Sequence, residues 1–159
     1  SEMCIRDRAE RGVRFIQVYH SGWDAHSIVE GNVSKQAKQT DQASAALIKD
    51  LKQRGMLEDT LVLWGGEFGR TPKLNTRGGR DHWPAMSPML MAGGEYELGR
   101  TIGKADKSYT PKENPCGPLD VCATLFDHFN IPMEIQKVDT GGRPRYLLEG
   151  EGKVILRQN

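Results

Sequence analysis

The sequence TLVLWGGEFGRTP, residues 60–72, sets the predicted architecture. Its first half is a short apolar run bounded by an aspartate and by glycines, which is typical of a strand buried on both faces. The glycine pair lets the backbone turn sharply. Glu67 follows at once, so the pattern predicts a carboxylate at the end of a buried strand.

Two elements upstream extend this prediction. Residues 34–55 place apolar side chains three and four positions apart, which predicts an amphipathic helix that ends at Gly55, with Ser34 as a candidate N-cap. Before the helix, GVRFIQVYH alternates and is rich in β-branched and aromatic residues, which favours a strand over residues 13–19. Strand, helix and strand in this order predict a right-handed parallel crossover.

The rest of the chain extends the same pattern. PMLMAGG at residues 88–94 predicts another buried strand, and PLDVCATLFDHFNI predicts a helix that begins at Pro118. Glycine and proline predict a hairpin around residues 100–103. Residues 142–156 predict two short strands about a turn at residues 149–152. These elements together predict an α/β protein with a mainly parallel sheet.

The composition argues against two classes of partner. Lys and Arg total 22 against 21 Asp and Glu, so no global charge recruits nucleic acid or an anionic membrane. No apolar run approaches the roughly 20 residues that span a bilayer, and no signal-peptide pattern is visible. With 159 residues, of which 37% are hydrophobic, the chain suits one domain with a sizeable core.

Two separate segments carry the candidate site. GWDAH places Asp24 and His26 two positions apart, so their side chains point to the same side of an extended loop and can share one ion. GRDHWP adds the adjacent Asp81 and His82, one to bind metal and the other to orient a ligand or meet a second ion. Because loops converge beyond the carboxyl ends of parallel strands, these four side chains and Glu67 are the predicted metal ligands.

The residue types suggest the chemistry. Mixed imidazole and carboxylate ligands suit zinc, manganese or iron, and such an ion polarises an ester oxygen. Cations outnumber carboxylates between residues 67 and 82, which favours an anionic ester; they are Arg70, Lys73, Arg77 and Arg80. A guanidinium can hold phosphate or sulfate through two hydrogen bonds, so Arg70 is predicted to bind the anion. Arg70 and Glu67 are the predicted catalytic side chains.

Simpler structural interpretations stand beside these assignments. A D-x-H motif is also typical of a turn with an exposed histidine, and the adjacent Asp and His of GRDHWP also arise by chance. Glu67 can pair with Arg70 and do nothing else. His20 and His128 are interpreted as a strand-end residue and a helix residue rather than as ligands.

The chain resembles the C-terminal half of the DUF1501 family, which we take to be sulfatase-like proteins of the alkaline phosphatase superfamily. The resemblance rests on three motifs in this order: GWDAH, TLVLWGGEFGRTP and GRDHWP. For residues 9–159 the resemblance implies the C-terminal part of one alkaline-phosphatase-like domain, with a doubly wound core of mainly parallel sheet and flanking helices. It also implies a metal-dependent hydrolase of phosphate or sulfate esters. The alternative is a non-catalytic cell-surface binding or assembly protein on the same fold, and a mutase or transferase would use the same ligands.

The resemblance also implies roles for single residues. Asp24 and His26 would bind one divalent ion, zinc, manganese or similar, and His82 would complete its ligands. Glu67 stands where the superfamily has an aspartate followed by a histidine, and here Phe68 takes the place of that histidine. A second ion is therefore left open.

Residues 1–8, SEMCIRDR, resemble a translated sequencing adapter and are excluded from the fold prediction. On this interpretation the natural chain extends upstream, and its missing N-terminal part is expected to supply the nucleophile and further strands. The fragment alone is expected to be inactive. The resemblance implies an exported protein of the periplasm or cell surface, whose partners are a small anionic ester and the missing part of its own chain.

Overall fold

The computed structural model describes residues 2–157 of the chain. The chain divides into two compact units, Ser1–Ala92 and Gly93–Asn159. No helix within the described residues combines the length and the apolar character that a membrane crossing requires.

Two helices, α1 (Glu2–Glu10) and α2 (Val29–Gln53), pack against each other in the first unit. Arg6 of α1 forms an ion pair with Asp50 of α2 at 3.5 Å. Helix α1 includes most of the segment that resembles an adapter, and that segment therefore contributes to the packing of the first unit.

The amphipathic helix predicted over residues 34–55 is confirmed, but its predicted start was wrong. Helix α2 begins at Val29, because Ile28 before it has a left-handed backbone with φ of 45° and ends the preceding loop. Ser34 therefore lies inside the helix and caps nothing. The predicted end is confirmed, since Gly55 has a φ of 67° directly after the C-cap.

Four strands of the first unit form two antiparallel pairs. Strand β1 (Val62–Gly65) pairs with β4 (Met89–Ala92). Strand β2 (Gly69–Arg70) pairs with β3 (His82–Trp83). The β2–β3 pair closes the segment between them into a loop, and this loop carries part of the candidate site.

The two apolar runs at residues 60–66 and 88–94 are confirmed as strands, but they are not buried on both faces. Trp64 and Leu90 lie opposite each other in the register and are 48% and 65% exposed. A two-stranded ribbon has too few neighbours to cover both of its faces, which explains the exposure.

The strand predicted over residues 13–19 was wrong. This segment forms no strand, and Val18 and Tyr19 are 66% and 86% exposed. Alternating apolar residues favour an extended backbone, but a strand also needs a partner for its backbone hydrogen bonds.

The predicted α/β fold, an alkaline-phosphatase-like doubly wound core with a mainly parallel sheet, is contradicted by the structure. The described residues contain four sheets of two strands each, and all four pairs are antiparallel. The predicted parallel crossover fails because residues 13–19 form no strand and β1 pairs with β4. Apolar patterning identifies a strand without naming its partner or direction, and this is the physical reason for the error.

The second unit contains one helix and two antiparallel pairs. Strand β5 (Lys104–Ala105) pairs with β6 (Pro111–Glu113), and β7 (Gln136–Val138) pairs with β8 (Pro144–Tyr146). Helix α3 (Pro118–His128) lies between the two pairs in sequence. The helix predicted from the proline that opens α3 is confirmed.

Two predictions for the second unit need correction. The hairpin expected around residues 100–103 lies between β5 and β6, where Asp106 accepts backbone hydrogen bonds inside the turn. Residues 142–156 do not pair with each other, because β8 pairs upstream with β7 and Ile155–Arg157 forms a short 3₁₀ helix.

The core of the second unit lies where α3 meets the 3₁₀ helix. Ala123 and Thr124 are 0% and 1% exposed, and Ile155 is 6% exposed. The Thr124 hydroxyl donates to the Asp120 carbonyl over 2.7 Å and accepts from the Ile155 N–H over 2.9 Å. The buried hydroxyl is satisfied on both sides and ties the two helices together.

Candidate metal centre

Two loops of the first unit, residues 23–28 (the first loop) and 71–81 (the second loop), are joined through their backbones. The Arg80 N–H donates to the Ala25 carbonyl over 2.9 Å, and the Ile28 N–H donates to the Arg77 carbonyl over 3.2 Å. The antiparallel β2–β3 pair holds the two ends of the second loop together. These bonds hold the two loops together, so side chains that are far apart in sequence lie next to each other.

Gly79 allows the two loops to approach this closely. A Cβ at this position would lie 2.1 Å from the carbonyl carbon of His26 and 2.3 Å from the backbone nitrogen of Ser27. Backbone atoms cannot move aside as a flexible side chain can. Any larger residue at position 79 would therefore push the loops apart.

Asp24, His26 and His82 converge on one point between the loops. The Nε2 atom of His26 lies 2.9 Å from Oδ1 of Asp24, and Nε2 of His82 lies 3.0 Å from the same oxygen. The two Nε2 atoms are 3.1 Å apart. The structure thus brings together three of the predicted metal ligands, and all three side chains remain open to solvent.

Asp81, another predicted ligand, lies behind His26. Its Oδ1 is 2.9 Å from the Nδ1 of His26, on the side of the ring away from Nε2. An ionised carboxylate only accepts hydrogen bonds, so Nδ1 of His26 is the donor in this contact. A carboxylate behind a histidine in this way orients the ring as a metal ligand.

The contacts among Asp24, His26 and His82 cannot all be ordinary hydrogen bonds. When Nδ1 of His26 donates to Asp81, neutral His26 has no proton on Nε2, yet this atom faces a carboxylate oxygen at 2.9 Å. A proton on Nε2 of His82 serves only one of its two contacts. Facing acceptors repel each other unless a cation lies between them. One proton on His26 would relieve one contact, whereas one metal ion would satisfy all three atoms.

Both carboxylates of the centre are held in their ionised form. A hydrogen bond from His82 and then one from Arg70 lower the pKa of Asp24 to about 2. A hydrogen bond from His26 and then one from Asn75 lower the pKa of Asp81. Neither acid needs to lose a proton at neutral pH before it binds a cation or orients a histidine.

The two predicted catalytic side chains, Arg70 and Glu67, contact each other at the edge of the centre. Arg70 donates through Nη1 to Oδ1 of Asp24, and its Nη2 lies 3.4 Å from Oε1 of Glu67. Glu67 contacts Arg70 and is not one of the three side chains that converge between the loops. Arg70 therefore contacts the same Asp24 oxygen that faces His26 and His82.

Asn75 is a residue that the sequence analysis missed. Its Nδ2 donates to the His26 carbonyl and to Oδ1 of Asp81, each over 3.0 Å. An asparagine shortly before a glycine pair signals a turn. Nothing in the sequence shows that its amide reaches the first loop.

Aromatic rings surround the centre. The Phe68 ring packs against the His82 ring with 4.5 Å between centroids, and the Arg70 guanidinium lies 5.8 Å from the Phe68 centroid. Trp23 packs edge-on against Trp64 at 6.3 Å. Phe68 thus places an apolar ring against one flank of His82.

The other predicted cations lie around the second loop. Lys73 and Arg77 are exposed. Arg80 donates to the carbonyls of Thr71 and Pro72, so it holds the loop as well as adding charge. A cavity of about 330 Å³ lies next to Arg70, and its walls are Trp23, Ala25, Val29, Glu30, Val33, Arg70 and Arg80.

The remaining histidines have structural contacts. The interpretation of His20 as a strand-end residue was wrong, because residues 13–19 form no strand, whereas His128 is confirmed as a helix residue. His20 lies 3.0 Å from Oε1 of the buried Gln36 and packs edge-on against Trp23. His128 lies in α3 of the second unit, between the rings of Tyr96 and Phe129.

Comparison with known proteins gives one informative result. A protein-family model described as "Protein of unknown function (DUF1501)" matches residues 1–158. No curated protein and no solved structure matches the chain significantly. Because the matched residues span almost the whole sequence, the chain belongs to the DUF1501 family.

Proposed function

We propose that Asp24, His26 and His82 bind one divalent metal ion, and that the intact protein uses this ion to hydrolyse phosphate or sulfate esters. The observation that carries the proposal is the convergence of one oxygen and two nitrogen acceptors within 3.1 Å of one another. One metal ion would satisfy all three of these atoms at once, whereas protons on the two ring nitrogens would not satisfy every contact among them. The mixed donor set suits zinc or manganese better than calcium or magnesium.

The spacing of the three donor atoms fits an ion of this kind. Zinc bonds nitrogen and oxygen at about 2.0–2.1 Å, so Asp24, His26 and His82, whose facing atoms are 2.9–3.1 Å apart, would hold one such ion together. Three protein ligands leave an open position, which is the arrangement of catalytic rather than structural zinc sites. An ion bound there would polarise an ester oxygen.

The charge around the centre supports an anionic substrate. Arg70 links the ligand Asp24 to the wall of the adjoining cavity, so its guanidinium can hold an ester anion beside the ion. Lys73 and Arg77 add positive charge at the surface. The apolar part of the cavity wall offers room for the organic group of the ester.

Two further considerations narrow the proposal. Phe68 packs on His82 with its ring, which supports a single ion rather than a pair. The resemblance of the three motifs to sulfatase-like proteins of the alkaline phosphatase superfamily supports ester hydrolysis and an exported protein. The attacking group is assigned to no residue of the centre, because the Thr71 hydroxyl is engaged with the Lys73 carbonyl and the Asp81 N–H.

Metal retention tests the first half of the proposal. After dialysis with Zn²⁺ or Mn²⁺ and removal of free ion, we expect about one ion per chain in the wild type. His82→Ala should lose the ion, because it removes one of three ligands. The matched control His128→Ala removes a histidine of the second unit and should retain it. A wild-type chain that holds no ion at stoichiometric level would remove the basis of the proposal.

Ester turnover by the intact protein tests the second half. We expect release of nitrophenol from a nitrophenyl phosphate or sulfate, with loss of turnover in His82→Ala and in metal-free protein. Retention of the ion without turnover of either ester would support the alternative function, a non-catalytic surface binding or assembly protein. The specific observation in favour of that alternative is Phe68 at a position where a further ligand is expected.

A further inference from the structure

The side chain of Asn75 uses its whole hydrogen-bonding capacity at the centre. Its Nδ2 donates to the His26 carbonyl and to Oδ1 of Asp81, each over 3.0 Å. Its Oδ1 accepts from the N–H groups of Arg77 and Gly79, also over 3.0 Å. A primary amide has two donor hydrogens and two acceptor lone pairs, so all four are in use.

The two ends of this amide have different tasks. The oxygen accepts from two N–H groups of the second loop and so closes its turn. This turn includes Gly79, which lies against the backbone of His26. The nitrogen reaches across to the first loop and to Asp81. Only the nitrogen end touches groups that set the state of the metal ligand His26.

Asp81 shares a single oxygen between Asn75 and His26. Oδ1 accepts from Nδ2 of Asn75 and faces Nδ1 of His26 at 2.9 Å. The amide therefore holds this oxygen on the ring nitrogen that must carry the proton. Without the amide, Asp81 is an exposed side chain with the rotational freedom of any surface carboxylate.

We propose that Asn75 is a positioning residue that acts through Asp81: it holds Oδ1 of Asp81 against Nδ1 of His26 and so fixes the ring with Nε2 directed at the metal. This inference rests on the proposed metal site but concerns a residue that touches neither metal nor substrate. A carboxylate behind a ligating histidine sets its tautomer, and loss of such support typically lowers metal affinity 10–100-fold. Asn75 does not contact the His26 ring nitrogen; it holds the Asp81 carboxylate that does.

The test variant is Asn75→Ser. Serine keeps an oxygen that can accept a backbone hydrogen bond in the turn, but it is too short to reach Asp81. We expect Zn²⁺ affinity, measured by calorimetric titration, to fall roughly 10-fold or more. Asn32→Ser makes the same substitution in α2 of the first unit, where the amide oxygen has no hydrogen-bond partner, and should leave the affinity unchanged.

A double-mutant cycle separates positioning from a general effect on the loop. If Asn75 acts through Asp81, Asn75→Ser should cause no further loss of Zn²⁺ affinity in the Asp81→Ala background. An equal loss in both backgrounds would overturn the proposal, because it would mean that Asn75 merely shapes the turn. If Asn75→Ser fails to fold, Asn75→Gln provides the second variant, since its longer side chain keeps the amide but displaces it from Asp81.

A measurement without metal keeps the proposal distinct from the proposed function. The ring nitrogen shifts of His26 in metal-free protein, recorded by NMR, should show a protonated Nδ1 in the wild type. In Asn75→Ser the Nδ1 shift should move toward that of an unprotonated nitrogen. An unchanged shift would contradict the proposal. If the wild type binds no Zn²⁺, the proposed function fails, and the nitrogen shifts still decide the role of Asn75.

Discussion

The two units each contain a cluster of charged side chains around a carboxylate, and the clusters differ in where their protons lie. In the second unit, Asp127 accepts from the Tyr96 hydroxyl and from Nε of Arg157, each over 2.8 Å. Every one of these contacts has a donor and an acceptor. In the first unit, Asp24 and the Nε2 atoms of two histidines all face one another at 2.9–3.1 Å, and one hydrogen on each ring nitrogen cannot satisfy all three contacts.

This difference distinguishes a cluster that holds the fold from one that can hold a ligand. Burial, and then the hydrogen bond and the charge of Asp127, raise the pKa of Tyr96 to about 12, so the Tyr96 proton stays in place. The Asp127 cluster therefore needs nothing from solution. The cluster around Asp24 is open to solvent, so a cation from solution can reach the three atoms that converge there.

The largest expected effect is on Zn²⁺ affinity, and two substitutions, one in each cluster, test whether the clusters have different roles. His26→Ala should lower Zn²⁺ affinity by at least about 100-fold, because it removes a direct ligand. The same variant should lower the unfolding free energy of zinc-free protein by less than about 1 kcal/mol, since the contacts of His26 with Asp24 and Asp81 are open to solvent. Calorimetric titration and urea unfolding measure the two quantities.

Asp127→Ala is the reverse case and the control for the first substitution. It should lower the unfolding free energy by about 1–2 kcal/mol, because Tyr96 and Arg157 lose their charged acceptor. Zn²⁺ affinity should stay at the wild-type value. Destabilisation by His26→Ala as large as that by Asp127→Ala would show that both clusters simply hold the fold.

A smaller effect is expected at Arg70, whose guanidinium donates to Oδ1 of Asp24. Arg70→Gln removes a positive charge and a competitor for the ligand oxygen. We therefore expect Zn²⁺ affinity to rise several-fold, while the affinity of the zinc-loaded protein for inorganic phosphate falls. Titration with each ion in turn measures both changes.

Arg77→Gln controls for the loss of charge alone, because Arg77 is an exposed cation of the second loop. It should change both affinities less than Arg70→Gln does. A fall in Zn²⁺ affinity in Arg70→Gln would mean that Arg70 orients Asp24 for metal rather than competing with it.

The smallest expected effect is a pH dependence of stability in zinc-free protein. The pKa of Asp24 is about 2 in the folded state and 3.8 in its ordinary state, because of hydrogen bonds from His82 and Arg70. A lowered folded-state pKa contributes stability that is present above the ordinary value and is lost as pH falls toward 2. Urea unfolding of wild type and Asp24→Asn from about pH 5 to about pH 2 measures it.

We expect the stability difference between the two proteins to shrink as the solution is acidified through this window. The effect should be small, since Asp24 is exposed and solvent screens its contacts. A difference that stays constant from pH 5 to about pH 2 would contradict the assigned contacts.

Local pattern was sufficient for the regular elements of this chain. Apolar side chains at helical spacing identified most of α2, and the proline start identified α3. Short apolar runs identified β1 and β4. These features depend on neighbours in sequence, which is why they could be predicted from residues alone.

The candidate site was predictable in its residue types but not in its connections. Asp24, His26 and His82 were chosen because imidazole and carboxylate bind metal, and the structure brings them together. The contact of Asp81 with the back of His26 and the bridge made by Asn75 were not foreseen. Both span the two loops, and sequence spacing carries no information on such contacts.

The sequence therefore determined which segments become helices and strands and which side chains can bind a cation, because both depend on residue type and short-range periodicity. Tertiary structure determined the antiparallel direction of the strand pairs, the absence of a strand at residues 13–19 and the contact of Asp81 with Nδ1 of His26. Each of these depends on which distant backbone or side chain completes a hydrogen bond, and only the folded chain selects that partner.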